Sequence, residues 1–502
     1  MNLDKDLLSI QQARDLAKRA KEAQRILAEF TQEKIDAIVK AMRDAALENA
    51  ERLAKMAIEE TKLGVYEDKV TKNKFSTENV YQWIKDIKTV GFIREFPERK
   101  IYEIAEPMGT LMGITPVTNP TSTVIYKALI AIKARDTIVF APHPKAVNCS
   151  KAAADILHEA AVKAGAPEGS ILCMDIITKE GTNALMRDPN IDLILATGGS
   201  AMVKAAHSSG KPAIGVGPGN VPAYIERSAD IRKAVSAILA SKTFDNGTVC
   251  ASEQNVIVDR VISPQVREAF REMGGYFLSP DEASKVEKVI FSSKGLPSPD
   301  IVGQSAQFIA SKAGISVPPD TIVLIAEPGG VGPNFPLSKE KLSPVLAYFE
   351  VEDWQEGCQL CIKVLKTGGL GHTLVIHSQN EDVIREFALK KPAFRILVNT
   401  GGTQGAIGLT TGLEPSMTLG CGAMGGGITS DNVGPMHLMN IKRLAYPTME
   451  LEFKKRAVPD GRPAEEIAHL EHSKPIETEK TLTEAEIEAI VKKFLKERGL
   501  SS

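Results

Sequence analysis

Gly109-Thr110-Leu111-Met112-Gly113-Ile114-Thr115-Pro116-Val117 is a short apolar, strand-like run, and the rhythm it opens decides the fold. Further runs of the same kind follow at Thr137–Ala141, Ile171–Ile176, Ile191–Ala196 and Pro212–Ile225. Helix-like stretches such as Ser150–Ala164 and Ser200–Ser208 lie between them. Strands alternating with helices are the signature of a mostly parallel α/β sheet. A second rhythm of the same type predicts strands at Asn255–Val258, Thr321–Ala326, Val345–Phe349, Thr373–His377 and Arg395–Asn399. The two halves are expected to divide near Ile231–Lys242. Ahead of the first strand, residues 1–95 read as helical. From Gln11 to Glu51 apolar residues recur at helical spacing, among them Leu16, Ala20, Ile26, Phe30, Ile35, Ile38 and Met42. No internal repeat or low-complexity tract is evident.

The 502 residues suggest two to four domains, at roughly 100–200 residues each. With 61 Lys plus Arg against 63 Asp plus Glu, the net charge is −2. That balance argues against nucleic-acid binding by phosphate neutralisation and gives no bulk attraction to an anionic membrane. No run of about 18 apolar residues predicts a membrane span. The acidic start, Met1 to Asp6, has no apolar segment after it and does not read as a secretory signal. Six cysteines are too sparse for a disulfide scaffold. The expectation is a reduced, cytoplasmic, soluble protein. Cys358 and Cys361 form a CxxC, but no second pair stands nearby to complete a zinc site. They read as two neighbours on one helix face, and no metal is expected.

Cys250 stands out among the cysteines. It sits in Thr243-Phe244-Asp245-Asn246-Gly247-Thr248-Val249-Cys250-Ala251-Ser252, where turn formers precede a thiol flanked by small side chains. An attacking thiolate needs such access, although a buried cysteine is the more ordinary reading. Thr197-Gly198-Gly199-Ser200 follows a strand-like run and opens a helix-like one, a geometry that offers backbone N–H groups to a phosphate. Gly215-Val216-Gly217-Pro218-Gly219-Asn220 lacks the GxGxxG spacing and reads equally as a structural turn. Gly420 to Gly427 holds five glycines, which permits tight turns or close approach to a ligand. Two histidines lie in loops, His143 in Pro142-His143-Pro144-Lys145 and His372 after Gly368-Gly369-Leu370-Gly371. Either is a candidate acid or base or a structural residue. No Ser/His/Asp arrangement, P-loop or HExxH appears.

The C-terminal region differs in kind. Residues 454–480 are polar, with prolines 459, 463 and 475, and read as a linker. Thr483 and Glu486 then make a capping box, with Leu482 and Ile487 as its hydrophobic staple. Ile487, Ile490, Val491, Phe494 and Leu495 form one apolar stripe, and Lys492, Lys493, Lys496 and Arg498 trail toward the C-terminus. A helix of about 16 residues is marginal alone, so the stripe needs a surface. That surface is either its own domain or another protein.

Taken together, several segments resemble the aldehyde dehydrogenase superfamily and, within it, the CoA-acylating branch. They are Ile104–Gly109, Thr118-Asn119-Pro120-Thr121-Ser122-Thr123, Pro142-His143-Pro144, Leu195–Gly199, Ser241–Glu253, Glu340-Lys341-Leu342-Ser343-Pro344, Gly371-His372-Thr373 and Thr418–Gly422. They run in order over roughly residues 10–445. The likeness is to the aldehyde half of the bifunctional aldehyde–alcohol dehydrogenases, and the iron-dependent alcohol dehydrogenase half is expected to be absent.

The resemblance implies an α/β fold with a Rossmann-type NAD-binding domain over 1–238, a catalytic domain over 239–430, and a return over 431–453. An oligomerisation arm is implied at 95–108, with dimers or tetramers formed through a strand near Arg443–Leu451. It implies Cys250 as nucleophile, the Asn119 amide with the Cys250 N–H as oxyanion holders, and His372 as an acid/base near the CoA sulfur. NAD contacts are implied for Pro142, His143, Gly198, Gly199, Gly217 and Glu340. The lysine that contacts the adenosine ribose in hydrolytic members has no counterpart near Ala141-Pro142, although acylating relatives mostly use NAD. Hydrolytic members also carry a water-activating glutamate in a Glu-Leu-Gly-Gly segment, where this chain reads Gly215-Val216-Gly217-Pro218.

The implied reaction is aldehyde plus NAD plus CoA to acyl-CoA plus NADH, on acetaldehyde or propionaldehyde. Sulfoacetaldehyde or succinic semialdehyde are alternatives, because Gly401–Gly405 and Thr410–Met424 depart from the bifunctional enzymes. A CoA-independent dehydrogenase and a catalytically silent scaffold are the competing readings. The tail 481–502 looks like the encapsulation peptides that carry enzymes into bacterial microcompartments, which would make a shell protein its partner.

Overall fold

Thr110–Ile114 is buried at all five positions, as a strand covered by helices on both faces must be. The computed structural model describes residues 4–292 and 295–451, and the unit Met1–Tyr446 holds every element named below. Its strands, numbered along the chain, begin with β1 (Gly91–Phe96), β2 (Ile101–Pro107), β3 (Thr110–Ile114), β4 (Thr137–Ala141) and β5 (Ile171–Cys173). Next come β6 (Leu193–Thr197), β7 (Ala213–Val216), β8 (Val221–Ile225), β9 (Glu253–Asp259) and β10 (Gly275–Phe277). The last are β11 (Val323–Ala326), β12 (Val345–Val351), β13 (Gly371–His377), β14 (Ala393–Val398) and β15 (Met439–Ala445).

They form three sheets. A parallel five-stranded sheet has the order β5-β4-β3-β6-β7, and a parallel seven-stranded sheet the order β10-β11-β12-β9-β8-β13-β14. A small antiparallel sheet has the order β1-β2-β15. The α/β expectation holds in both halves. The core of the first sheet joins Phe140, Leu195 and Val124 to Leu27, Ile35 and Met42 of the N-terminal helices. Ile26, which the periodicity places on the apolar stripe, is 56% exposed instead. The helical run from Gln11 breaks into Lys5–Leu27, Gln32–Glu48 and Ala50–Thr61. Thr31 caps the second of these by accepting the Lys34 N–H. Helix ends at Ile84 and β1 begins at Gly91, so the helical reading to residue 95 overshoots.

Two boundaries move. The single run Pro212–Ile225 is two strands, β7 and β8, in different sheets. An unbroken apolar run cannot reveal that change, although Pro218 between two glycines marks the turn. The chain therefore passes from the first sheet to the second at 217–220. The helix Ile231–Thr243 packs Val235 and Ile238 against Val221, Ala223 and Val256 of the second sheet. At the other end, only Arg443–Ala445 of the expected strand Arg443–Leu451 is strand. Pro447 has no N–H to extend the ladder.

Residues 101–107 and 439–445 pair antiparallel, from Met439 with Pro107 to Ala445 with Ile101. Cys358 and Cys361 sit on the helix Trp354–Lys366, buried with Val364 and Leu365. Among the described residues, no helix is long and apolar enough to cross a membrane. The linker 454–480 and the helix 481–502 lie outside the described residues.

Candidate active site

Two sheet edges make the site. In the first sheet the strand order reverses at β3, with β4 on one side and β6 on the other. Ligands of open α/β sheets bind beyond the carboxyl ends of the strands at such a switch point. Asn119 follows β3 there, Pro142 and His143 follow β4, Gly198 and Gly199 follow β6, and Gly217 follows β7. In the second sheet β9, β8 and β13 are neighbours, and all run parallel. Cys250 stands before β9, Gly219 and Asn220 before β8, and His372 at the start of β13. The four residues 217–220 join the carboxyl end of β7 to the amino end of β8, so the two edges meet.

At that junction His372 Nε2 lies 3.2 Å from Cys250 Sγ, and His372 Nδ1 lies 2.9 Å from Thr373 Oγ1. Arg395 Nε donates to the same Thr373 oxygen at 3.4 Å. In the tautomer that carries its proton on Nδ1, that N–H donates to Thr373 and Nε2 is the acceptor that faces the thiol. Burial pushes the Cys250 thiol up to about 12, Glu340 and Cys421 add to the rise, and Arg395 opposes it. Burial, with Arg395 behind it, lowers His372 to about 3. The resting pair is therefore a thiol and a neutral imidazole.

Gly219 packs so tightly that a Cβ there would stand 2.1 Å from the Cys250 carbonyl oxygen and 3.2 Å from His372 Cδ2. Only glycine allows that approach. The Gly219 N–H donates to Glu340 Oε1 at 3.0 Å, which ties Glu340 to the same junction. Burial raises the Glu340 carboxyl to about 7, against the pull of that bond and of Lys242 and Lys341. Asn220 locks the turn, donating to Ser338 and Val364 carbonyls and accepting from Asn255.

Asn119 precedes the helix Pro120–Lys133 but makes no side-chain cap to it. Its Nδ2 donates to Thr118 Oγ1 at 3.1 Å and to the Thr248 carbonyl at 3.4 Å, two residues before Cys250. Its Oδ1 accepts from Lys72 Nζ at 2.6 Å.

The remaining candidates are placed but not joined to the thiol. Pro142, His143, Gly198 and Gly199 stand on the loops of the first sheet. His143 Nδ1 accepts the Lys145 N–H at 3.1 Å. A Cβ on Gly199 or Gly217 would meet nothing within 4 Å, and one on Gly198 only Met202, at 3.9 Å. These glycines therefore border open space at the strand ends, and the helix Ser200–His207 begins beside it. Backbone N–H groups at a helix start suit a dinucleotide's phosphates.

Sequence reasoning missed four residues that shape the site: Lys72, Asp245, Thr373 and Arg395. Thr373 and Asp245 lay inside quoted stretches, beside residues that drew attention instead. Lys72 and Arg395 carry no local signal, because a charged residue in a helix or strand usually reads as solvated.

The Aldehyde dehydrogenase family model matches residues 7–274. The acetylating aldehyde dehydrogenase of Geobacillus thermoglucosidasius is 52% identical, with a TM-score of 0.89 over 90% of this chain and 100% of that one. The bifunctional aldehyde-alcohol dehydrogenase of Escherichia coli K12 is 47% identical over 86% of this chain. The present chain spans 49% of that enzyme, about half the length of such curated relatives. A propionaldehyde dehydrogenase of Rhodopseudomonas palustris, solved with CoA bound and a cysteine acylated, is 27% identical over 86% of this chain and 97% of its own, with a TM-score of 0.78.

Proposed function

The chain belongs to the aldehyde dehydrogenase family, and on that premise we propose that it is an NAD-dependent, CoA-acylating aldehyde dehydrogenase. The reaction is aldehyde plus NAD plus CoA to acyl-CoA plus NADH and a proton, and it is reversible. The 3.2 Å contact between Cys250 and His372 carries this reading. A thiol at about 12 is a poor nucleophile until a base takes its proton, and the neutral Nε2 is in reach to do so. The Cys250 sulfur then attacks the aldehyde carbonyl. The Asn119 amide and the Cys250 N–H receive the developing oxyanion. NAD, when bound, supplies the hydride acceptor. Loss of the hydride leaves an acyl thioester on Cys250, and His372 releases the thiol's proton to solvent. The CoA thiol then takes the acyl group, and its proton passes by way of His372 to the departing Cys250 sulfur.

Pro142, His143, Gly198, Gly199 and Gly217 line the space we assign to NAD, with Glu340 at its nicotinamide ribose. The open ground beside the glycines supports that assignment. Water is a weaker acceptor than CoA in this site. Gly215-Val216-Gly217-Pro218 offers no carboxylate, and one oxygen of Glu340 already accepts the Gly219 N–H. Supplying acetaldehyde and NAD, with and without CoA, tests the proposal. NADH is expected only with CoA. NADH formed equally without it, over repeated turnovers, would make water the acceptor and overturn the reading. Rates with propionaldehyde, succinic semialdehyde and sulfoacetaldehyde then rank the substrates.

The exposed edge strand β15 is the surface we assign to dimer or tetramer formation, which sedimentation of the full chain checks. We assign 481–502 to docking on a microcompartment shell protein, from its capped amphipathic pattern behind a polar linker. Deleting 481–502 is expected to leave CoA-dependent activity intact and abolish shell association. A deletion that destroys activity would mean the helix serves its own domain.

A further inference from the structure

We infer that Lys72, clamped by Asp245, positions the Asn119 amide and ties it to the Cys250 loop. The inference rests on the oxyanion role proposed for Asn119 above and adds the device that orients it. Lys72 Nζ lies 2.6 Å from Asn119 Oδ1, 2.6 Å from Asp245 Oδ2 and 3.1 Å from Thr248 Oγ1. Three acceptors use all three ammonium protons. The side chains of Lys72 and Asp245 are 2% and 0% exposed, so no water substitutes for these partners.

An ammonium donates and cannot accept. The end of the Asn119 amide that faces it is therefore the oxygen, and the NH₂ end is turned toward Thr118 and the Thr248 carbonyl. The 3.4 Å bond to Thr248 is long for an N–H donor. It is the bond that an incoming substrate oxygen displaces. A cation on the amide oxygen also polarises the group and makes its N–H a stronger donor.

The other half of the clamp is the loop that carries the thiol. Asp245 and Asn246 have φ of 49° and 52°, a left-handed backbone that is strained for residues other than glycine. Contacts on every side of the Asp245 carboxylate hold the loop in that state. Its Oδ2 accepts from Lys69 at 3.0 Å and from Thr248 Oγ1 at 2.8 Å, and its Oδ1 accepts the Val65 N–H at 2.7 Å. A Cβ on Gly64 would stand 1.9 Å from Asp245 Oδ1, so the cradle closes around the carboxylate. Asp68 Oδ2 accepts the Asp245 N–H at 2.7 Å, and Lys69 reaches on to the Thr118 carbonyl at 3.0 Å. Burial would raise the Asp245 carboxyl, but Lys72 and Lys69 hold it below its ordinary value. One lysine thus links the loop after β3 to the loop before β9, and each loop supplies one proposed oxyanion donor.

The test compares Lys72→Met, Asn119→Ala and the double variant in the full chain. Two rates are read: kcat of CoA-dependent NADH formation, and alkylation of Cys250 by iodoacetamide, which needs no oxyanion site. Each single variant is expected to lose about 100-fold in kcat, and the double variant no more than about threefold beyond the worse single. Alkylation is expected to stay within about threefold throughout. Lys72→Arg, which keeps the charge and its donors, is expected to recover at least about tenfold over the methionine variant. Losses that multiply in the double variant, an unchanged kcat in Lys72→Met, or equal losses in kcat and alkylation would each overturn the inference. If Lys72→Met fails to fold, Lys72→Gln enters the same cycle under the same criteria. Full activity in Asn119→Ala, or no CoA-dependent turnover in the unaltered chain, would overturn the underlying reading instead.

Discussion

Cys250→Ala is expected to lower CoA-dependent NADH formation by at least about 10⁴-fold, to the background of the assay. The methyl group keeps the space near the thiol filled but cannot bond to the aldehyde carbon. No neighbour can replace it. Cys421 is buried, its thiol raised above the ordinary value, and its backbone packs against Gly371. The other cysteines, Cys149, Cys173, Cys358 and Cys361, are all buried. The variant should still fold, because the loop is held by Asp245 rather than by the sulfur. Stopped before CoA is added, the unaltered enzyme should carry one acyl group on Cys250, seen as an intact-mass shift that the variant lacks. Residual turnover above about one part in 10³ in the variant would mean that a different group attacks the aldehyde.

The second large effect concerns the base. His372→Ala is expected to lower kcat by about 10²–10³-fold, because proton transfer by a placed base contributes about 10²–10⁴. The pH dependence distinguishes a base from an ion-pair partner. The Cys250 group is uncharged when protonated, and burial pushes it up to about 12, so at neutral pH it is almost wholly thiol. His372, lowered to about 3, stays neutral throughout the accessible range and contributes no acid limb. The alkylation rate of the free enzyme should therefore climb about tenfold per pH unit from about pH 7 to pH 10, without a plateau. A plateau near neutrality would reveal a standing thiolate–imidazolium pair and contradict the neutral resting state. In His372→Ala the climb should persist while catalysis stays low.

Arg395 bears on both predictions from one position. It donates to the Gly371, Gly420 and Ser430 carbonyls and to Thr373 Oγ1, all of them neutral oxygens. Its charge favours the thiolate and disfavours the imidazolium. Deprotonated sulfur beside neutral imidazole is the state a nucleophile needs once His372 has passed the thiol's proton on to solvent.

Much of this was legible along the chain. The strand Thr137–Ala141 appears with its expected bounds, because a threonine and four apolar residues between turn formers have few other uses. The strands near Asn255, Val345 and Thr373 appear two to three residues longer than read, since propensity fades gradually at strand ends. The pairing of Cys358 with Cys361 on a helix face followed from spacing alone. The β7–β8 break was not legible, because apolar character continues through both strands while the sheet they join changes.

Local pattern determined the α/β class, the helical N-terminal region, the turn before Cys250 and the glycine-bordered histidine at 372. Period, turn chemistry and small side chains act over a few residues and leave their mark in consecutive letters. Only the tertiary structure decided which edges meet and which charges are buried between them. Lys72 and Asp245 stand 173 residues apart, and Cys250 and His372 stand 122 apart. Whether a lysine is solvated or clamped depends on acceptors brought from that distance, and the cost of burying it is met only when all of them arrive together.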